Sequence, residues 1–75
     1  MNELESQSYQ IREYLLQGNS ITAMEALRLF GCFRLSGRIY DLRKEGTNIS
    51  STIIKINGKR VAEYSIVNDP IEQDV

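Results

Sequence analysis

The sequence contains no histidine and a single cysteine, Cys32. A lone cysteine cannot form a disulfide within the chain, which fits a reducing cytoplasm. Without histidine, the usual Ser-His-Asp and Cys-His catalytic arrangements cannot be built. A zinc site made of one cysteine and carboxylates would be unusual. We therefore expect a protein that is not an enzyme and that uses neither a metal nor a cofactor.

Long apolar runs are also missing from the chain. No stretch approaches the roughly 20 apolar residues that a membrane-spanning helix needs. The acidic start, residues 1–5, lacks the charge and hydropathy pattern of a signal peptide. These absences predict a soluble cytoplasmic protein that has no membrane partner.

The charges are unevenly distributed along a chain whose net charge is only −1. Residues 28–60 carry eight basic and two acidic side chains, a net charge of +6, whereas the other residues sum to −7. A positive segment in a nearly neutral chain is typical of an anion-binding surface. The alternative is a solvated surface whose charges are uneven by chance.

Three helical patterns precede residue 47, and each is bounded by a recognisable end signal. The predicted helices are residues 6 or 7 to 17, 22 to about 30 and about 34 to 45. The second begins at a capping box formed by Thr22 and Glu25. Glycines end all three: Gly18, Gly31 and Gly46. The apolar side chains predicted to face inward are Ile11, Tyr14 and Leu15, then Ala26, Leu27 and Phe30, then Leu35, Ile39 and Leu42.

The pattern changes to that of a β-hairpin after Thr47. Residues 49–56 are rich in Ile, Thr and Ser, residues 59–67 alternate, and Asn57-Gly58 between them is a strong two-residue turn signal. The isoleucines of the first strand fall on both faces, and a bulge near Ser51-Thr52 would reconcile them. Three helices followed by a hairpin predict an α+β winged helix-turn-helix domain over residues 6–67. Residues 1–5 and 68–75 are predicted to be acidic, flexible ends.

In this architecture the third helix enters the DNA major groove and the hairpin, or wing, contacts backbone or minor groove. With the apolar stripe buried, several polar positions of the third helix face outward, and two basic residues follow the hairpin turn. The predicted DNA-binding residues are Arg34, Ser36, Gly37, Arg38, Tyr40, Lys59 and Arg60. The arginines can pair with guanine or hold phosphates, and Gly37 would allow a close backbone approach.

Each of these assignments has a purely structural alternative. Arg38 and Asp41 are spaced to form an ion pair on the helix surface. Arg43 and Lys44 in the last helical turn suit the helix dipole as well as they suit DNA. Lys59 and Arg60 could simply keep a sheet edge soluble.

The runs 20–36, 38–46 and 57–60 resemble the small helix-turn-helix domain proteins encoded by bacteriophages and prophages. The resemblance spans about residues 7 to 67 and implies a winged-helix fold and DNA binding in a bacterial host cell. The polar positions of the shared pattern are occupied here by Arg34, Ser36, Arg38, Lys59 and Arg60, and the resemblance implies that these residues contact DNA. The acidic ends depart from that pattern.

Two functions follow from these observations. The leading one is a sequence-specific double-stranded DNA-binding protein that regulates transcription or another DNA transaction, as a monomer or a weak homodimer on DNA. The alternative is a phage-type protein that uses the same fold to bind and inhibit a host protein, such as RNA polymerase or a defence nuclease, since the fold alone does not decide function.

Overall fold

The structure, a computed structural model, describes residues 3–67 and, from Ser6 onward, their side chains. Residues 1–2 and 68–75 of the predicted flexible ends lie outside the described residues. The helices and strands follow one another as α1 Glu3–Leu16, β1 Ile21–Thr22, α2 Ala23–Phe30, α3 Leu35–Lys44, β2 Ile49–Ile56 and β3 Lys59–Ile66. No helix within residues 3–67 is long and apolar enough to cross a membrane.

Helix α1 follows the predicted face but begins earlier than predicted, at Glu3 instead of Ser6 or Gln7. Ile11 and Leu15 are fully buried, and Tyr14 packs beside them with its ring edge-on to Phe30 of α2, at a centroid distance of 5.6 Å. The i, i+4 spacing of Ile11 and Leu15 places one above the other on the helix, which is why they enter the core together.

Helix α2 begins at the predicted capping box. The Thr22 hydroxyl accepts a hydrogen bond from the Glu25 backbone N–H at 3.3 Å, and the Glu25 carboxylate accepts one from the Thr22 N–H at 2.9 Å. Ala26 is buried and Phe30 packs against the core, but the prediction that Leu27 also faces inward is wrong, since 39% of it is exposed. An eight-residue helix buries only a narrow stripe, and the i, i+4 pair of Ala26 and Phe30 occupies it.

Helix α3 buries the predicted stripe of Leu35, Ile39 and Leu42. It ends at Lys44, two residues before Gly46, which adopts a left-handed conformation at φ 102°. The Gly46 N–H donates to Arg43 and the Thr47 N–H donates to Leu42, both at 3.0 Å. This is the Schellman arrangement that satisfies the last carbonyls of a helix, so the predicted role of Gly46 is confirmed.

The three strands form an antiparallel sheet in the order β1-β3-β2. Asn57 and Gly58 both have positive φ, 52° and 80°, as the predicted two-residue turn requires. The β2–β3 register then runs unbroken from the pair Ile56–Lys59 to the pair Ile49–Ile66. The predicted bulge is therefore absent, and no bulge is needed because only Ile49 of the β2 isoleucines is buried.

The two-residue strand β1 joins the hairpin to the helices. The predicted extended link at Ser20-Ile21 is a strand at Ile21–Thr22, where Ile21 pairs with Tyr64 and Thr22 with Glu63. Nine apolar residues form the core: Ile11, Leu15, Ile21, Ala26, Cys32, Leu35, Ile39, Leu42 and Ile49. Tyr64 packs against this cluster but stays partly exposed.

Candidate nucleic-acid interface

The start of α3 is open and positively charged. Arg34 is the N-cap residue; its side chain is exposed and makes no capping hydrogen bond. The first turn of α3 carries no acidic residue. The helix dipole therefore adds a partial positive charge beside the Arg34 guanidinium, and such helix starts bind phosphate groups well.

Ser36 and Gly37 occupy the first turn of α3 behind Arg34. Ser36 is exposed and Gly37 is half-buried. A methyl group at Gly37 would meet nothing within 4 Å, and its φ is not among the positive ones. The fold therefore does not require glycine here, and the missing side chain leaves the backbone open to a close approach from outside.

The Arg38 side chain is mostly buried and pairs with a residue of its own helix. Its Nη2 lies 3.0 Å from the Asp41 carboxylate, and only 16% of its side chain is exposed. The ion-pair alternative for Arg38 and Asp41 is thus confirmed, and the expectation that the Arg38 side chain is exposed is wrong. The Arg38 Nε is buried without a hydrogen-bond partner among the described residues, because the i+3 carboxylate reaches the guanidinium from one side.

A cleft of about 500 Å³ lies between the start of α1, the α2–α3 turn and α3. It brings four of the predicted residues together, since Arg34, Gly37, Arg38 and Tyr40 all line it. The remaining lining residues are Gln7, Gly31, Cys32, Phe33 and Asp41. Ser36, Lys59 and Arg60 do not line this cleft. The predicted site is therefore divided between α3 and the wing.

Aromatic side chains stand at the rim of the cleft. Phe33 is 85% exposed in the turn before α3, and sequence reasoning missed it as a candidate contact. A large apolar residue between two helix-end signals, outside any helical stripe, is the signal that could have identified it. Tyr40 is 62% exposed, and the Lys44 ammonium lies 5.6 Å from its ring centroid. Lys44 thereby extends the positive surface along α3.

Lys59 and Arg60 point to opposite faces of the wing, because neighbouring strand residues alternate. Both are exposed. Lys59 lies opposite Ile56, whereas Arg60 lies opposite Lys55. The two predicted cations therefore cannot contact the same phosphate from one face.

Lys55 and Arg60 form the cationic pair of the wing. They are direct cross-strand partners, so their side chains leave the same face of the hairpin a few ångströms apart. Like charges in this position destabilise a sheet unless an anion lies between them. Sequence reasoning missed Lys55, although counting outward from the Asn57-Gly58 turn pairs residue 55 with residue 60.

Arg43 has a structural role that neither of its predicted roles included. Its Nε and Nη2 both donate to the Ile49 carbonyl, at 3.2 and 2.9 Å. This forked contact connects the last turn of α3 to the first residue of β2, so it orients the wing relative to the helix. Arg43 is therefore less available to a phosphate than Arg34.

The chemistry of the whole surface is that of anion binding. Nowhere in the described part of the chain do three or more Cys, Asp or Glu side chains cluster as a metal site would require. Exposed cations at the start of one helix and along a two-stranded wing are the arrangement with which helix-turn-helix proteins bind nucleic acids.

The comparison with protein families agrees with this description. Residues 6–69 match the winged helix-turn-helix domain, and the chain belongs to this family. The predicted α+β winged-helix fold is thereby confirmed. No curated protein and no solved structure is significantly similar to the chain.

Proposed function

We propose that the protein binds double-stranded DNA sequence-specifically and regulates transcription or another DNA transaction. The observation that carries the proposal is the uncapped, cationic start of α3, where exposed Arg34 and Ser36 adjoin the cleft. The N-terminal part of a recognition helix is the part that reaches base edges in the major groove. The resemblance to phage-encoded domains supports such a role in a phage or prophage.

Arg34 is the residue to which we assign the main contact with DNA from α3. It is exposed and has no salt-bridge partner among the described residues, so its guanidinium can form a fork with guanine or a phosphate. Ser36 and Tyr40 flank it as hydroxyl donors. Arg38 contributes the positive floor of the cleft, oriented by Asp41.

The wing supplies sequence-independent affinity. A phosphate bound between Lys55 and Arg60 would relieve the repulsion of two cations that face each other across the strands. Lys59 would serve a second phosphate from the other face of the hairpin. Such contacts position a protein on the duplex without reading its sequence.

A salt-dependent DNA titration tests the proposal. The full chain is titrated against a labelled duplex selected from a random library and against a scrambled duplex, over a range of salt concentrations. The logarithm of the association constant should fall linearly with the logarithm of salt, with a slope of roughly −0.9 per phosphate contacted. The selected duplex should bind more tightly than the scrambled one at every salt concentration.

Arg34→Ala is the diagnostic variant, and Arg12→Ala is its charge-matched control. Arg12 lies on α1 beside Glu13, outside the positive segment. Arg34→Ala should cost about 1–3 kcal/mol on the selected duplex, whereas Arg12→Ala should bind like the wild type. If the wild type binds no duplex at low salt while a stoichiometric host protein is captured from a lysate, the protein-inhibitor function replaces this proposal.

A further inference from the structure

The outer edge of β2 carries backbone groups that are not used within the hairpin. The Val67 N–H donates to the Asn48 carbonyl at 2.9 Å, and these two residues continue the β2–β3 register. In an antiparallel pair, residues bonded to the partner strand alternate with residues whose backbone groups point away. Since Asn48 points toward β3, the even-numbered residues of β2 bond to β3 and the odd-numbered residues point outward.

The first outward position of β2 is already occupied. Arg43 donates two hydrogen bonds to the Ile49 carbonyl, as the alternation requires of an outward-facing group. The next three outward positions are Ser51, Ile53 and Lys55. Among the residues that the structure describes, no other segment pairs with this edge of the sheet. The strand has no proline and no bulge to protect the edge.

These three positions are symmetric about Ile53, and from this symmetry we infer that a second copy of the chain pairs with β2 across a two-fold axis at Ile53. In an antiparallel β2–β2 pair with this register, Ile53 faces its own copy and Ser51 faces Lys55 of the other copy. Every outward backbone group from 51 to 55 then finds a partner. The dimer is a continuous sheet of two hairpins.

Neighbouring registers use the edge less well. If the two-fold axis moves toward the start of β2, the pairing includes Ile49. Its carbonyl already accepts hydrogen bonds from Arg43. A shift toward the turn leaves Ser51 opposite Asn57, where the left-handed backbone ends the strand. A two-fold axis at Lys55 would set two lysines directly opposite each other, which is unfavourable.

The side chains at the axis are suited to contact. Ile53 is 55% exposed on the hairpin, and pairing with its copy removes apolar surface of both from water. Lys55 is the single charged side chain of β2, and in this register it faces a serine. The inference does not depend on DNA binding. A dimer would double the phosphate contacts that a domain of this size can make.

Cysteine cross-linking tests the register. Directly opposed, hydrogen-bonded residues have Cα atoms about 5.5 Å apart, which is within disulfide range. Ile53→Cys should therefore form a dimer under mild oxidation. Lys55→Cys is the control, because the two copies of residue 55 would lie four positions apart, about 13 Å along the strands. Cys32 is buried and common to both variants.

Sedimentation of the full chain tests the dimer itself. The wild type should approach twice the mass of one chain as its concentration rises. Ile53→Lys sets like charges at the axis and should raise the dimer dissociation constant about tenfold or more. Thr52→Lys adds the same charge one residue away, opposite Ile54 of the other copy. This variant should change the dimer dissociation constant much less.

The inference is overturned if Ile53→Cys and Lys55→Cys cross-link equally, or if Ile53→Lys and Thr52→Lys have the same dimer dissociation constant. Equal oxidation rates for the two cysteine variants would show random encounters instead of the Ile53 register. A wild type that remains monomeric, with another segment or a partner protein on the edge, would overturn it as well. DNA binding by such a monomer would leave the proposed function intact.

Discussion

The guanidinium of Arg38 lies 3.0 Å from the carboxylate of Asp41, one turn further along α3. This pair keeps the second arginine of the helix low in the cleft while Arg34 stays exposed at the rim. Two arginines that share a helical face in the sequence therefore differ in their availability to DNA. The difference gives them separate experimental signatures.

Arg38→Met and Arg38→Ala should separate packing from charge. Methionine keeps an apolar stem in this mostly buried position and removes the buried Nε that has no partner, so the free energy of unfolding should stay within about 1 kcal/mol of the wild type. Alanine also removes the stem and should be less stable than methionine. Urea unfolding of both variants measures this. Equal losses would show that the charge, and not the stem, carries the stability.

The Arg38–Asp41 pair itself should contribute little. Asp41 has 44% of its side chain exposed, so solvent screens the interaction. A double-mutant cycle with Arg38→Met and Asp41→Ala should return a coupling energy of at most about 1 kcal/mol that decreases with salt. A larger and salt-independent coupling would contradict this account.

Gly37→Ala should change stability and DNA binding in opposite directions. Glycine within a helix costs roughly 0.5–1 kcal/mol relative to alanine, and an added methyl group meets nothing here. The variant should therefore unfold at higher urea concentration. The same methyl group stands where the backbone approaches DNA, so affinity should fall. Gly46→Ala is the contrasting variant, because φ at residue 46 is 102° and alanine there should destabilise the fold. Unchanged DNA affinity for Gly37→Ala would remove Gly37 from the interface.

Lys55→Ala should relieve repulsion in the free protein and weaken its complex with DNA. Removing one of two directly opposed cations should raise the free energy of unfolding by a few tenths of a kcal/mol. If both cations hold one phosphate, the salt slope of DNA binding should flatten by about one. Ser51→Ala, on the same face of β2, serves as a control without a charge change. A variant that is less stable and binds DNA normally would refute the phosphate site.

Leu35→Ala should destabilise the domain severely. Leu35 is 2% exposed at the start of α3, in contact with the rest of the small core. Truncation of a buried leucine costs about 2–5 kcal/mol, a large share of the stability of a small domain. Thermal melting measures the loss. Leu29→Ala, an exposed leucine of α2, is the control and should melt near the wild-type temperature.

Local signals predicted most of the fold. The capping box at Thr22 and Glu25, the left-handed Gly46 and the Asn57-Gly58 turn act within a few residues, so their sequence determines their conformation. The stripe of Leu35, Ile39 and Leu42 was predicted for the same reason, since a helix places these three residues on one face whatever it packs against.

Predictions that depended on the tertiary surroundings of a residue were less accurate. Leu27 was expected inside, but the width of the buried stripe on α2 depends on α1 and α3. The bulge was expected because isoleucines lie on both faces of β2, and the sequence does not show that the wing extends beyond the core. The partnership of Lys55 and Arg60 required the register to be counted from the turn.

The sequence by itself determined the order of the three helices and the hairpin, most of their ends and the positive character of residues 28–60, because these follow from short-range hydrogen bonding, periodicity and charge. Tertiary structure decided which cations are exposed. It placed Arg34 at the rim of a cleft, left only 16% of the Arg38 side chain exposed, used Arg43 to hold Ile49 and left the outer edge of β2 from Ser51 to Lys55 open. The physical reason is that exposure depends on contacts between segments distant in the chain, and local patterns carry no information about them.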